Sequence, residues 1–181
     1  FEVEPELPTV APQPELDGSD ASPRALLTGE SSREILYRIC ETDALGLFQR
    51  VPAVLDRLAI IMDPHRVTRR AMAQCAHRAA MQGFCGEARL DKWLRDRIVE
   101  SVEALLDEDW AEERQNLPVD PLDDRYSSVT LGSGLAPAQA RRLALTFNKL
   151  PDEDRKPLYA VLVRNEPLED VARATGTSKP I

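Results

Sequence analysis

Apolar residues recur at intervals of three and four over most of the chain after residue 31, which is the spacing of amphipathic α-helices. The most regular stripe predicts one long helix and consists of Leu90, Leu94, Ile98, Val102 and Leu105. The chain has only 8 glycines and 5% aromatic residues, and the alternation of Val, Ile and Thr that is typical of strands is scarce. The pattern therefore predicts an all-α fold.

Helix-start patterns divide the first periodic region. Ser31 and Glu34 have the spacing of a capping box. A second helix start is expected near Thr42, ahead of another apolar stripe. Pro52 falls inside that stripe and predicts either a kink or a division into two short helices.

Two further helices are expected before residue 107. Asp63 followed by Pro64 is typical of an N-cap with proline at the first helical position, and predicts a helix through about Met81. The helix that begins near Leu90 is basic in its first half and acidic in its second half. Because negative charge at a helix C-terminus opposes the macrodipole, we expect this helix to fray near Asp107.

The net charge of −8 is unevenly distributed. Residues 1–30 hold seven acidic residues and one Arg, which predicts a disordered acidic leader. Residues 31–106 and 137–181 each carry a net charge of +2 together with the apolar periodicity, and predict two small helical modules. Residues 107–136, with a net charge of −6 and several Pro and Gly, predict an acidic flexible linker between the modules.

Motifs that would carry enzyme chemistry are scarce. Three cysteines form no C-x-x-C pair, and only two histidines are present, so the expectation is free thiols in a reducing cytoplasm rather than a zinc site. The sequence lacks a Gly-rich phosphate loop, an H-E-x-x-H motif and a nucleophile elbow. We therefore expect a cytoplasmic non-enzyme with no cofactor, no metal and no membrane partner. The first residue, Phe1, and the end at Ile181 indicate a fragment of a longer protein.

Residues 150–178 end in the pattern of a helix, a tight turn and the first residues of another helix. Ala172 and Gly176 stand four apart, where a small residue lets the next helix cross closely and glycine tolerates a positive φ. Val171 is expected to be buried, and Asn165 is expected to end the preceding helix in the left-handed conformation. This pattern is typical of a helix-turn-helix, whose second helix contacts the major groove of DNA.

The same region resembles, without gaps, the C-terminal DNA-binding region of sigma-70 family transcription initiation factors, especially the extracytoplasmic-function type. The residues that carry this resemblance are Leu150-Pro151, Arg155, Leu158 to Val163, Asn165, Glu169 to Ala172, and Gly176 to Ser178. Upstream, two more segments resemble that family's first module: Asp43 to Met62, and the F-x-G-to-W-L segment of Gly83 to Leu90, Trp93-Leu94 and Ile98.

The resemblance implies an initiation factor that binds RNA polymerase core through its first module and promoter DNA through both modules. An anti-sigma-type regulator is a further implied partner. In the second module the implied DNA-binding residues are Thr177, Ser178 and Lys179, at the start of the recognition helix, and Arg173, as a phosphate contact. In the first module they are Arg89, Lys92, Arg95 and Arg97, since a basic helix with an aromatic side chain can hold a single-stranded nucleic-acid backbone. Trp93 itself is expected to lie in the core.

Polymerase binding is expected at Arg70 and Gln74. The corresponding stretch of the family is acidic and contains Gln, whereas residues 69–74 keep the Gln and replace the acids with Arg or Ala. One alternative is therefore a degenerate sigma paralogue that acts as a protein–protein interaction module in transcription regulation. Another alternative is an unrelated helical regulator whose helix-turn-helix arose separately.

Overall fold

The computed structural model describes residues 22–29, 31–84, 86 and 89–176. These residues form nine α-helices and no β-strand, which confirms the predicted all-α class. The helices are α1 Pro23–Leu26, α2 Ser32–Thr42, α3 Leu47–Leu58, α4 Pro64–Gln82, α5 Leu90–Arg114, α6 Ser127–Ser133, α7 Pro137–Asn148, α8 Asp152–Leu162 and α9 Leu168–Thr175. Of the acidic leader predicted over residues 1–30, residues 1–21 and 30 lie outside the described residues. The prediction of disorder is wrong for residues 22–29, which contain α1 and bury the side chains of Leu26 and Leu27.

Two of the predicted helix starts are confirmed by their caps. The Ser31 side chain accepts a hydrogen bond of 3.3 Å from the backbone N–H of Glu34 at the start of α2. The Asp63 carboxylate accepts from two backbone N–H groups in the first turn of α4, at 3.0 and 3.1 Å, and Pro64 occupies the first helical position. Each cap satisfies donors that a helix N-terminus leaves without an intrahelical partner.

Helix α3 differs from its prediction at its start and at its proline. It begins at Leu47 rather than near Thr42, because Asp43 ends α2 in the left-handed conformation, with φ 45°. The Asp43 carboxylate then accepts hydrogen bonds of 2.8 and 3.1 Å from the N–H groups of Leu47 and Phe48. Of the two outcomes predicted at Pro52, a kink or a division, the division does not occur: α3 continues through the proline, and its apolar face is buried on both sides of it.

The largest core lies among α2, α3, α4 and α5. Helix α5 contributes the stripe that its sequence predicts, with Leu94, Ile98, Val102 and Leu105 all buried. The Trp93 ring packs at the edge of this core, 5.7 Å from the ring of Phe84 in an edge-to-face arrangement. The expectation that Trp93 belongs to the core is confirmed.

The end of α5 also differs from its prediction. The helix does not fray near Asp107 but continues to Arg114, so the segment predicted as a flexible linker begins as a regular helix. The physical reason is that cations from other elements surround its acidic end: Arg70 pairs with Glu108 at 2.7 Å, and Asp109 is completely buried against arginines. This neutralisation outweighs the unfavourable interaction with the macrodipole.

Helices α6, α7 and α8 build two smaller cores against the first half of the chain. Small side chains of α7, Ala140 and Ala144, pack with Tyr126, and Trp110 of α5 borders this cluster. The ring of Phe147 on α7 packs against the ring of Tyr159 on α8, and both cluster with Ala59, the residue after α3.

Two local predictions for the end of the chain are confirmed: Val171 of α9 is buried, and Gly176 ends α9 with a φ of 69°. Asn165 has the expected left-handed φ of 54°, but it does not end α8, which already ends at Leu162 with its C-cap at Val163. The helix expected after Gly176 lies outside the described residues. Within the described part of the chain, no helix has both the length and the apolar character that crossing a membrane requires.

Candidate nucleic-acid interface

The first half of α5 presents a basic face to solvent. Arg89 immediately precedes the helix, and Lys92 and Arg95 follow at intervals of three residues, so the three side chains share one side. All three residues are exposed, and none has an ion-pair partner among the described residues. Three of the predicted DNA-binding residues are thus brought together as cations available to a ligand.

Arg97 occupies a different environment from its three neighbours. Its side chain is only 13% exposed and forms an ion pair of 2.6 Å with Glu100. Its guanidinium carbon lies 6.0 Å from the centre of the Trp93 ring, within the range of a cation–π contact. The structure therefore places Arg97 against α5 and the core, apart from the exposed basic face.

The predicted polymerase-binding pair lies on α4. Arg70 is half-buried and its guanidinium pairs with the Glu108 carboxylate, while Gln74, one turn later, is half-buried too. The pair therefore borders the acidic second half of α5, on the opposite end of that helix from the basic face. An approaching protein would have to compete with Glu108 for Arg70.

The predicted contacts of the C-terminal region are only partly described. Arg173 is exposed on α9 and forms an ion pair of 3.0 Å with Asp170 of the same helix. Thr177, Ser178 and Lys179 lie outside the described residues. Arg173 is therefore the only C-terminal residue of the predicted set that the described part of the chain contains.

A buried carboxylate that the sequence did not single out connects three parts of the chain. Asp109 of α5 is fully buried and accepts two hydrogen bonds from Arg66 of α4, at 2.6 and 2.9 Å. It also accepts from Arg125, at 2.8 Å, and from the Tyr126 hydroxyl, at 2.6 Å. Burial and the nearby Asp109 charge raise the pKa of Tyr126, so the hydroxyl stays a donor.

Arg125 and α7 extend this cluster toward the surface. Arg125 also pairs with Glu112 and Asp123, and Arg141 of α7, itself only 3% exposed, pairs with Glu112 and Glu113. The pKa of the Glu113 carboxyl lies below its usual range. The hydrogen bond from Arg142 is the largest cause of this shift, and the hydrogen bond from Arg141 adds to it, although burial acts in the opposite direction. The acidic segment after residue 107 therefore binds α7 through ion pairs.

A second set of polar contacts fastens α7 and α8 to the segment that follows α3. The Asn148 side chain accepts from the N–H of Ile61 and donates to its carbonyl, both at 2.9 Å. The Arg155 guanidinium donates to the carbonyls of Leu58, Asn148 and Leu150, at 3.2, 3.0 and 2.9 Å. Arg155, which carries part of the family resemblance, thus has a structural role in this chain.

Two of the three cysteines, Cys40 and Cys75, lie in the described part of the chain. Cys75 is buried in the core, and burial raises the pKa of its thiol to about 12, while Cys40 is exposed. Among the residues that the structure describes, no group of three or more His, Cys, Asp and Glu side chains could hold a metal ion.

Comparisons of the chain with protein families, with curated proteins and with solved structures found no match. The function is therefore inferred from the geometry above together with the sequence resemblance.

Proposed function

We propose that this chain is a sigma-like DNA-binding protein that acts in transcription initiation, binding RNA polymerase core and promoter DNA. The main support for this proposal is the exposed basic face of Arg89, Lys92 and Arg95. None of these three residues forms an ion pair with a described carboxylate. The left-handed turn at Gly176, positioned to start a recognition helix, supports the same proposal.

In the proposed mode of binding, the three cations of this face contact backbone phosphates. Such contacts release condensed counterions and make affinity fall steeply with salt. Trp93 and Phe84 pack beside the face as part of the core, so their contribution is to hold the start of α5 in place rather than to stack on bases. Base readout is assigned to Thr177, Ser178 and Lys179, which follow Gly176 in the sequence.

The test is a fluorescence-anisotropy titration of a labelled duplex with the full chain, repeated between about 50 and 200 mM salt. The double variant Arg89→Ala/Lys92→Ala should bind more weakly and lower the slope of log affinity against log salt by about 1.8, since each phosphate contact contributes about 0.9. Arg114→Ala is the matched control, because Arg114 is exposed at the other end of α5 and also lacks an ion-pair partner among the described residues. Absence of binding by the parent chain at the lowest salt would refute the DNA-binding part.

A second candidate function is a protein–protein interaction module derived from a sigma factor. Large apolar side chains near the connection of α8 and α9 favour it: Leu162 is 66% exposed, Val163 42% and Leu168 70%. Grouped exposed apolar side chains commonly mark surfaces that bind other proteins. Binding of a regulatory protein without RNA polymerase core would favour this function over the first.

A further inference from the structure

A shallow groove between α3 and α5 is lined by three arginines, two on the face of α3 and one on the face of α5 that border the groove. Arg50 and Arg57 lie seven residues apart on α3, and Arg95 lies on α5 one turn after Asp91. The groove has a volume of about 240 Å³, and the buried Ile98 forms part of its floor. The sequence resemblance assigned no role to Arg50 or Arg57.

The charge in this groove is unbalanced. Arg50 is fixed in place, because its Nε donates to the Leu45 carbonyl at 3.0 Å and its terminal nitrogen pairs with Asp91 at 2.8 Å. Arg57 and Arg95 are exposed, and neither has an ion-pair partner among the described residues. Three guanidinium groups therefore face one carboxylate, which leaves two positive charges on the groove walls.

We propose that this groove binds the phosphodiester backbone of DNA, as a continuation of the basic face of α5. The inference rests on the proposed DNA-binding function and adds α3 to the surface that contacts DNA. Seven residues of helix rise about 10 Å, and one strand of a duplex carries a phosphate about every 3.4 Å along the axis. Arg50 and Arg57 therefore span about three nucleotide steps, and Arg95 opposes them from the other wall.

Guanidinium groups suit this ligand because they can donate two parallel hydrogen bonds to phosphate oxygens. Ala53, Val54 and Ile98 form the apolar part of the groove lining, between the arginines of the two walls. Among the described residues that line the groove, Asp91 is the one that would repel a phosphate, and its side chain is 76% exposed. Removing the charge of Asp91 should therefore raise the affinity for DNA, whereas removing an arginine of the groove should lower it.

The experiment titrates labelled single-stranded and duplex DNA with the full chain and with three variants. Arg50→Ala/Arg57→Ala, which alters only the α3 wall of the groove and leaves the basic face of α5 intact, should weaken binding about tenfold, if each contact contributes as much as a favourable exposed ion pair. Asp91→Asn should instead strengthen binding, because it removes the opposing charge. Arg33→Ala/Arg69→Ala is the control, since both residues are exposed and lie on α2 and α4, away from the groove. Circular dichroism melting of each variant verifies that the fold is retained.

The outcomes separate this inference from the proposed function. A loss with Arg50→Ala/Arg57→Ala together with a gain for Asp91→Asn supports the groove. If the groove variants match the parent chain while Arg89→Ala/Lys92→Ala binds more weakly, the groove assignment is overturned and the proposed function stands. If the groove variants lose binding to RNA polymerase and keep their binding to DNA, the groove contacts an acidic protein surface and the assignment is overturned. Absence of DNA binding by the parent chain overturns both.

Discussion

Replacement of Asp109 by asparagine should destabilise the protein strongly. Asparagine has nearly the shape of aspartate but no charge, so the change leaves the guanidinium groups of Arg66 and Arg125 beside a buried neutral amide. Arg66 would lose its ion pair altogether, because Asp109 is its one ion-pair partner among the described residues. Arg125 keeps Glu112 and Asp123 as partners.

The expected magnitude follows from the burial of the carboxylate. Asp109 is fully buried, and the Arg66 side chain is only 15% exposed, so solvent cannot replace the lost charge. Removing one partner of such a pair costs about 3 to 5 kcal/mol, because the remaining charge stays desolvated. In a protein of this size the loss corresponds to a fall in Tm of about 6 to 20 °C.

Urea denaturation followed by circular dichroism measures the change in the free energy of unfolding. Asp107→Asn is the matched control, since Asp107 is exposed on the same helix without an ion-pair partner among the described residues, and its substitution should change stability by less than about 0.5 kcal/mol. The double variant Asp109→Asn/Arg66→Met should lose less than the sum of the single losses, because it removes both charges together. A loss below about 1 kcal/mol for Asp109→Asn would refute the structural role assigned to this carboxylate.

Two further predictions concern titration and thiol reactivity. The pKa of Glu113 is held down by Arg142, so the folded state binds fewer protons than the unfolded chain, and the resulting stability is present above the unfolded pKa and lost as pH falls through the folded value. Between about pH 5 and 3, urea melts should show a smaller loss of stability for Glu113→Gln than for the parent chain; an equal loss would contradict this. In a Cys85→Ser variant, Ellman's reagent should label Cys40 rapidly and Cys75 only after unfolding, because Cys75 is buried with a thiol pKa of about 12. Rapid labelling of two thiols per native chain would be inconsistent with that burial.

Local patterns in the sequence predicted the elements that depend on nearby residues. The apolar stripe of α5, the cap at Asp63 and the left-handed residues Asn165 and Gly176 each follow from contacts or backbone preferences within a few positions. Such features are determined by helical periodicity and by the donors that a helix end exposes.

Features that depend on distant partners were not predictable in the same way. In the sequence, Asp109 is one of a run of acidic residues. It becomes a buried structural group only through Arg66 and Arg125, which lie 43 and 16 residues away in the chain. One local indication was available, since Asp109 lies four residues after Leu105 and continues the buried stripe of α5. The groove between α3 and α5 likewise requires knowledge of how two helices pack, which periodicity alone does not provide.

We propose that the chain joins RNA polymerase core to DNA. Size-exclusion chromatography of the full chain with purified core enzyme measures this association directly. The proposal predicts that the chain co-elutes with core and that this complex retains labelled promoter duplex, with weaker retention for the Arg89→Ala/Lys92→Ala variant. Elution of the chain entirely separate from core, at low as well as moderate salt, would contradict the claim and favour an interaction module with a different partner.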